Sequence, residues 1–477
     1  MKIIKDKNKN NEKKIKAKKK SKTKDPLLFK KRVKVITIIC ILVIAIELFI
    51  MYVMYLNRDS KLTFVDTLNS IHNVDDSYYL ASGSSNFKYS RYNDSFIYQY
   101  EDLNTEDLEL KQAYAEQAKL VKYDKELNIV FESTFNGGEY DSTFYDAIVA
   151  NDYIYAVGSY IYDESQVSLK TRDAILVKYD LDGKIEWFRN YQILGDTEFK
   201  KIIAVDDGLI VVGQSIYENM EIGNHDMGGG IIVKYDFDGN IIWTNNFGGN
   251  KSGIFNDVVE VEDGYICCGK DAVNYGLIVK FSLDGERVWV KNYSNTDEIG
   301  MTAIKVKDDK IYIAGSYNKS ESSDDEGNKL FEYDACIFIY SLDGELIDIF
   351  SIGGSLADRF NSLLLNDNSI IAIGYTKSSD IELSGLGYKE KMAEGMIVEF
   401  DYQGHIINSK VYGGSKNETL NDIVRSIPTT EELINNTQSY ILIGYTNSRR
   451  NIFQGNGKDY FGKVLKYSAK FELEREN

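Results

Sequence analysis

The sequence predicts an all-β protein, a seven-bladed β-propeller ectodomain carried on a single N-terminal transmembrane helix. Three observations support this prediction. A twelve-residue pattern of two β-rich runs around a tight turn occurs seven times, and a second pair of β-rich runs accompanies each copy. In addition, one long apolar segment separates a basic N-terminal stretch from an acidic remainder. Gly (37) and Tyr (35) are abundant and Pro (2) is scarce, which favours turn-rich β structure over disorder.

The basic stretch is residues 1–34, which hold 16 Lys and Arg against 3 Asp and Glu, a net charge of +13. Because the whole chain has a net charge of −17, residues 35–477 carry −30. Lysine runs such as "KAKKKSKTK" from Lys16 can bury no core, so a disordered tail is predicted. Those lysines are expected to lie against anionic lipid, with nucleic-acid binding as the alternative for the tail. For the protein as a whole we expect no nucleic-acid partner.

The apolar segment runs from Val35 to Leu56 and contains one charged residue, Glu47. A helix of 22 residues rises about 33 Å, enough to span a hydrocarbon core of about 30 Å. Basic residues adjoin its N-terminal end, so the tail is expected in the cytoplasm and the acidic body outside the cell. No cleavage site of small residues follows, which favours an uncleaved signal anchor over a signal peptide. Glu47 is expected either to bond a partner helix or to be protonated or reach the headgroups.

The repeated pattern is typified by "LVKYDLDGKIEW" from Leu176. Its copies begin at Leu120, Leu176, Ile232, Ile278, Ile337, Ile397 and Val464. A D-G turn between two β-branched or aromatic runs is typical of a hairpin. The start-to-start spacing of 46 to 67 residues indicates a solenoid or a propeller.

The accompanying pair of runs is typified by "FKKIIAV" from Phe199 and "GLIVVGQS" from Gly208. Together with the hairpin it makes four strands per repeat, termed a, b, c and d, and seven four-stranded repeats indicate a propeller over residues 64–477. Residues 57–63 would be a short linker. The sequence leaves two strand phases open. Each blade is either a-b-c-d, or c-d-a-b with the two chain ends sharing one blade.

Large rings occupy one equivalent position of strand d in four repeats. These residues, which include all three Trp of the chain, are Phe131, Trp187, Trp243 and Trp289. We expect them to fill the space between neighbouring blades and to be structural. The four Cys suggest no disulfide framework, since Cys40 lies in the apolar segment, Cys267 and Cys268 are adjacent, and Cys336 is alone.

"DAILVKYDLDGKIEW" followed by "FKKIIAVDDGLIVVGQS" resembles the bacterial seven-bladed β-propeller repeat family. The glycine pairs Gly248-Gly249, Gly353-Gly354 and Gly413-Gly414 after strand d add to the resemblance, which covers about residues 64–475. It implies the fold and a secreted or surface location, but no assigned reaction. The seventh repeat departs from the pattern, because it lacks both the D-G turn and the strand-d Trp.

The two ends of the blades are expected to differ. Turns a-b and c-d are short, whereas the b-c loops are long and dissimilar, so one face is plain and the other is a loop face that would hold the binding site. Aromatic residues of "NFKYSRYNDSFIYQY" could stack on sugars or a protein, or could form an extra hairpin that buries its own rings. The candidate ligand-binding residues are Tyr89, Tyr92, Tyr98 and Tyr100, together with His225 and Asp226 of the glycine-rich "IGNHDMGGG".

An acidic loop, "ESSDDEG" from Glu321, suggests calcium as the one cofactor that the sequence leaves open. Its candidate ligands are Asp324, Asp325 and Glu326, and a solvated acidic loop is the alternative because no EF-hand spacing is present. The "DLDG" turns do not match the sialidase Asp box, since their glycine comes one place too early. No nucleophile elbow, zinc motif or phosphate loop is found, and no catalytic residue is assigned.

These features predict a single-pass cell-membrane protein of an AT-rich bacterium, with its N-terminus in the cytoplasm and its propeller outside the cell. We expect a binding or assembly platform rather than an enzyme, with a cell-envelope protein or polysaccharide as partner. One alternative is a carbohydrate-active or other hydrolytic propeller with carboxylates on the loop face. Two such carboxylates would be separated by about 5–10 Å. The other is a sensor that signals through the basic tail.

Overall fold

The computed structural model describes most of the predicted propeller. The described residues are 62–89, 116–135, 141–161, 171–191, 195–216, 229–248, 253–271, 275–293, 299–323, 329–380, 383, 392–413, 417–435, 437–446, 461–468 and 470–476. The chain divides into two compact units, one of residues 63–88 and 100–477 and one of residues 1–62 and 89–99. In the second unit only Leu62 and Tyr89 are described, so the predicted tail, apolar helix and most of the linker lie outside the described residues.

The described residues form twenty-eight strands in seven sets of four. The first three sets are β1 (Leu62–Asn73), β2 (Tyr78–Tyr89), β3 (Glu116–Asp124) and β4 (Ile129–Phe135); β5 (Ser142–Ala150), β6 (Tyr153–Tyr160), β7 (Asp173–Tyr179) and β8 (Ile185–Tyr191); and β9 (Asp196–Val205), β10 (Gly208–Ile216), β11 (Gly229–Tyr235) and β12 (Ile241–Gly248). The fourth and fifth are β13 (Ile254–Val261), β14 (Gly264–Lys270), β15 (Gly276–Ser282) and β16 (Arg287–Tyr293); and β17 (Ile299–Lys307), β18 (Lys310–Ser323), β19 (Lys329–Ser341) and β20 (Leu346–Ile352). The last two are β21 (Asp358–Leu365), β22 (Ser369–Thr376), β23 (Glu394–Asp401) and β24 (Ile406–Tyr412); and β25 (Glu418–Arg425), β26 (Tyr440–Thr446), β27 (Phe461–Tyr467) and β28 (Leu473–Glu476).

Each set is one four-stranded sheet in which consecutive strands are neighbours, so the blades run a-b-c-d. The described chain is therefore a seven-bladed β-propeller, as the sequence predicts. The seventh sheet contains only β25 to β28, which answers the question of strand phase. No strand is shared between the chain ends, and the ring is closed by packing of blade 7 against blade 1.

The hydrophobic core is divided among the blade interfaces. The described residues contain seven clusters of buried hydrophobic side chains, and each cluster combines residues of two adjacent blades. The cluster between blades 7 and 1 joins Leu127 and Tyr79 to Ile441 and Val464. Cys267 and Cys268 point to opposite faces of β14, since they belong to the clusters on its two sides.

The seven c-d turns share one conformation. An Asp or Ser begins each turn, its carbonyl accepts a hydrogen bond from the residue three places on, and that residue has a positive φ. The positive-φ residues are Leu127, Gly183, Gly239, Gly285, Gly344, Gly404 and Phe471. In blade 3, Asp236 Oδ1 accepts the N–H groups of Asp238 and Asn240, at 3.0 and 2.8 Å. The first Asp of "DFDG" therefore holds the turn together.

Two connections differ from the expected lengths. In blade 5, β18 and β19 remain paired out to Ser323 and Lys329, so much of the b-c connection, where a loop was expected, is a long hairpin. In blade 7, the a-b connection is not short and contains a helix, α1 (Thr430–Asn435). Thr429 Oγ1 accepts the Glu432 N–H at 3.2 Å while a Glu432 carboxylate oxygen accepts the Thr429 N–H at 2.6 Å, which is a capping box. No helix in the described part of the chain is long and apolar enough to cross a membrane.

Candidate functional site

The first strand of each blade lines the propeller axis. Successive first strands contact one another from β5 to β25, and β1 bonds to both β5 and β25. In six blades this strand has a β-bulge against its neighbour, located at Tyr145, Lys200, Asn256, Thr302, Asn361 and Asn421. A bulge leaves one residue unpaired and redirects its side chain, so polar groups here can reach the next blade.

The bulge position forms a series of hydrogen bonds from blade to blade. Asn256 Nδ2 donates to the Met301 carbonyl at 2.7 Å, and Asn421 Nδ2 donates to the Leu68 carbonyl at 2.7 Å. The matching residue of blade 1, Asn69, donates to the Phe144 carbonyl at 2.7 Å. These asparagines therefore connect neighbouring blades and close the ring between blades 7 and 1.

Three aspartates follow the bulge and bond the next blade in the same way. The N–H groups of Ile202, Ile304 and Ile71 each donate to a carboxylate oxygen of the preceding blade, at 3.1, 2.8 and 3.1 Å. The acceptors are Asp146, Asp257 and Asp422. Such charge-assisted bonds to backbone donors are stronger than neutral ones, so each aspartate fixes the spacing of two blades.

Asp146 is the centre of an axial ion cluster. Its carboxylate is fully buried and contacts His72 Nε2 at 2.7 Å and Lys201 Nζ at 3.2 Å. Burial alone would raise the pKa of Asp146, but Lys201 and His72 outweigh burial and hold it well below its usual range. Burial likewise would lower the pKa of Lys201, yet Asp146, Asp257 and Asp422 raise it. Because those carboxylates come from blades 2, 4 and 7, the Lys201 ammonium neutralises negative charge from several sides of the axis.

A second charged cluster lies at the loop-face ends of blades 2 and 3. Glu198 is buried and binds Arg172 Nη1 at 2.9 Å, Lys200 Nζ at 2.8 Å and Tyr145 Oη at 3.1 Å. Arg172 also forms a two-point pair with Asp196, at 3.0 and 2.7 Å. Burial lowers the pKa of Lys200, with Glu198 acting in the opposite direction. Every charged group of this cluster is compensated within the protein.

The strand-d rings lie between blades, against the turn of the following blade. A Cβ added to Gly239 would lie 2.6 Å from Trp187 Cη2, and one added to Gly285 would lie 2.6 Å from the Trp243 ring. Phe131 lies in the same way over Gly183. Trp289 lies 3.1 Å from the Cβ position of Gly344. The rings are half-buried, so they cover the outer part of each interface.

In blades 6 and 7 the ring is missing, and the turn of the following blade carries the bulk instead. The position of blade 6 equivalent to Trp187 is Asn408, and the following turn has Phe471 at φ 57° in place of glycine. Blade 7 carries Arg475 there, and the turn of blade 1 has Leu127 at φ 61°. The Phe471 and Leu127 side chains are almost fully buried. Phe471, which replaces the glycine of the D-G turn in blade 7, therefore fills the interface between blades 6 and 7.

Two of the glycine pairs make room for an acidic side chain. A Cβ on Gly353 would lie 1.9 Å from Asp334 Oδ1, and one on Gly413 would lie 2.1 Å from Glu394 Oε1. Asp334 lies in β19 and Glu394 begins β23, where each blade meets its loop face. These glycines are thus required by packing at the end of strand d.

Most of the predicted ligand-binding residues cannot be compared with this arrangement. Tyr92, Tyr98, Tyr100, His225 and Asp226 lie outside the described residues, as do Asp324, Asp325 and Glu326. Only the backbone of Tyr89 is described, at the end of β2. Among the described side chains no group of three or more His, Cys, Asp and Glu is placed to hold a metal ion. Calcium binding by the acidic loop stays a prediction.

The axial residues were not predicted from the sequence. Their signal is present in strand a as "FYD", "FND" and "LND", followed in each case by an aliphatic residue. The recurrence of Asp two places after the buried Phe or Leu could have marked an inward-facing position. Its partner Lys201, in "FKK", could not have been assigned, because only the closed ring brings blades 2, 4 and 7 near that lysine.

No protein-family model matches the chain, and no curated protein matches it. Among solved structures, the chain is similar to Kuenenia stuttgartiensis hydrazine synthase at 10% identity and a TM-score of 0.34, over 55% of this chain and 60% of that one. It is also similar to Chaetomium thermophilum Sqt1 bound to the N-terminus of the ribosomal protein L10, at 11% identity and a TM-score of 0.44, over 86% and 87%. Drosophila Plexin A in complex with Semaphorin 1b follows at 9% identity and a TM-score of 0.39, over 70% and 77%.

The chain spans 60% of the hydrazine synthase chain that it matches. At these identities and scores the neighbours carry no conclusion about activity. The class of protein, a seven-bladed β-propeller, follows from the strand order and from the seven blade interfaces of the described residues.

Proposed function

We propose that this protein is a membrane-anchored, extracellular binding or assembly platform whose loop face recognises another component of the cell envelope. The observation that carries the proposal is the difference between the two faces. On the plain face, seven turns of one conformation are fixed by the same hydrogen bonds. On the loop face, the b-c connections differ from blade to blade in length and composition. Variable loops on a rigid scaffold are the usual place for recognition.

The described polar groups near the axis support binding over chemistry. Asp146 forms ion pairs with His72 and Lys201 and accepts a hydrogen bond from the Ile202 N–H. Glu198 is bound by Arg172, Lys200 and Tyr145. A carboxylate that is this fully engaged has little capacity left to act on a substrate. The hydrolytic alternative therefore has no supporting observation among these residues.

Anchoring and location rest on the sequence. The span 35–56 and its basic flank predict a cytoplasmic N-terminus and an external propeller. Leu56 and Leu62, where β1 begins, are six residue steps apart, a reach of at most about 22 Å. Strand a begins on the loop face, so that face would lie toward the membrane, where a neighbouring envelope protein or polysaccharide is the expected partner.

The proposal is tested by capture of envelope partners with the full chain in nonionic detergent. Replacing Tyr92 and Tyr98 by Ala is expected to abolish capture. As a matched control, Leu433 and Ile434 of α1 are 67% and 78% exposed on the plain face, and their replacement by Ser should leave capture unchanged. Loss of capture in the α1 variant alone would place recognition on the plain face and overturn the proposal.

Orientation has its own test. Single Cys residues at Ser322, on the loop-face hairpin, and at Asp238, on the plain face, can be labelled on whole cells with a membrane-impermeant thiol reagent. With rates calibrated against unfolded protein, the Asp238 site is expected to react faster. Faster labelling at Ser322 would show the loop face pointing away from the membrane.

Protease added to protoplasts should digest the propeller and spare the tail, and the reverse would exclude the predicted topology.

A further inference from the structure

Arg359 is the second residue of β21, at the loop-face end of the innermost strand of blade 6. Its Nε is buried and has no hydrogen-bond acceptor. No carboxylate of the described residues forms an ion pair with its guanidinium. Burial lowers the pKa of Arg359, and Tyr375 and Cys336 act in the opposite direction.

A second arginine at the same end of the propeller shows what a compensated guanidinium looks like here. Arg172 forms a two-point pair with Asp196 and a further ion pair with Glu198. Glu198 and Arg359 hold equivalent positions, each directly before the buried Phe of strand a in blades 3 and 6. Arg359 is thus placed like a residue of the charged cluster but lacks the carboxylates.

A space about the size of a methyl group lies beside the Arg359 guanidinium. The side chain lies over Gly300 of blade 5, where an added Cβ would be 3.4 Å from both its Cζ and Nη2 and 3.5 Å from Ser316 Oγ. Since Gly300 has no side chain, the guanidinium and the Ser316 hydroxyl border the same space. Both groups can donate hydrogen bonds.

The Arg359 side chain is half-buried, and a buried polar atom such as its Nε is costly without a hydrogen-bond partner. The planar guanidinium presents parallel N–H donors that match two oxygens of a carboxylate or phosphate. We propose that Arg359, with Ser316, forms a site at the loop-face mouth between blades 5 and 6 for an oxyanion, either the carboxylate or the phosphate group of a ligand. The inference takes the loop face as the binding face, as proposed above, and adds the chemical group that is recognised.

The test uses the full chain in nonionic detergent with inorganic phosphate and acetate as probes. Thermal unfolding is followed by tryptophan fluorescence at constant ionic strength, with chloride replacing the probe. A ligand that binds only the folded state raises the midpoint as its concentration exceeds its Kd. We expect the midpoint of the wild type to rise with at least one probe, and the preferred probe distinguishes a carboxylate source from a phosphate source.

Arg359→Gln is expected to remove this rise and, without probe, to unfold no earlier than the wild type, because a buried Nε without an acceptor has been removed. Arg425→Gln is the matched control. Arg425 bonds the Leu365 carbonyl and Asn366 at the other end of the strands, so its loss should leave the rise intact. If Arg359→Gln fails to fold, Arg359→Lys is tested instead. We expect this variant to bind the probe with an affinity weaker by about fivefold or more, because lysine lacks the two-point geometry of the guanidinium.

An equal midpoint rise in the wild type and Arg359→Gln would overturn the site. So would the absence of a rise in the wild type with either probe up to about 50 mM, a concentration well above the Kd of a millimolar site. Neither result depends on a partner. A negative anion titration therefore does not decide the loop-face proposal, which the capture experiment tests. Loss of capture, in turn, does not change the interpretation of the anion titration.

Discussion

The packing of each strand-d ring on the turn glycine of the next blade can be measured by a double-mutant cycle. Gly239→Ala would place a Cβ 2.6 Å from Trp187 Cη2 at a residue whose φ is 80°. The left-handed conformation costs a non-glycine residue about 1 kcal/mol, and overpacking adds about 1–3 kcal/mol. Trp187→Ala should cost about 2–3 kcal/mol, below the about 3–5 kcal/mol of a fully buried ring, because Trp187 is half-buried.

The two changes should not be additive. Once the ring is gone, the Cβ introduced by Gly239→Ala no longer meets the indole, and the conformational cost is what remains. We therefore expect the double variant to be about 1–2 kcal/mol more stable than the sum of the single changes predicts. The measurement is urea unfolding of the full chain in nonionic detergent, with all variants compared under one condition.

A distant glycine provides the control. Gly285 contacts Trp243 rather than Trp187, so Gly285→Ala should couple to Trp243→Ala and should be additive with Trp187→Ala within about 0.5 kcal/mol. Additivity of Gly239→Ala with Trp187→Ala would refute the ring–glycine interpretation. Loss of ligand capture at full stability in any Trp variant would show that this ring is not merely structural.

Three further predictions concern the axis and blade 7. Asp146→Asn should destabilise the protein by about 3–5 kcal/mol in urea unfolding, since Lys201 would lose its buried partner. Adding Lys201→Met should recover part of this loss, and equal destabilisation of the single and double variants would argue against the pair. Burial would raise the pKa of Glu432, but Ser439, the capping box and Lys466 lower it to about 2. The ionised form of Glu432 therefore stabilises the fold above pH 4.5, and this contribution is lost as the pH falls toward 2. Glu432→Gln should therefore cost about 1–2 kcal/mol at pH 7 and much less at about pH 3, and a pH-independent cost in acid titrations would exclude the ionic contribution. Phe471→Gly should relieve the positive φ yet destabilise the protein by about 2–3 kcal/mol, because the buried ring is lost, whereas a gain in thermal stability would show that the strain dominates.

The sequence repeat by itself determines the seven blades. Alternating β-rich runs, D-G turns and a recurrent spacing are local signals, and each depends on a few consecutive residues. For that reason "DLDG" and "DFDG" predict their hairpins correctly at Asp180 and Asp236. The position of Trp187 and its counterparts also followed from alignment of the repeats, because equivalent residues of equivalent blades meet equivalent surroundings.

Tertiary structure alone decided how the ring closes and which polar groups meet at its centre. Lys201, Asp257 and Asp422 are far apart in the chain, and no local pattern indicates that their charges interact across the axis. The role of Phe471 also depends on a neighbouring blade. In the sequence, Phe471 in place of glycine suggests that the turn is lost, but in the structure its ring fills the interface between blades 6 and 7, where Asn408 supplies no ring. Arg359 is a further case, since a lone arginine in a strand gains meaning only when its buried Nε is seen to lack a hydrogen-bond acceptor. Interactions within a blade are local and can be predicted from sequence, whereas interactions between blades depend on the closure of the whole ring.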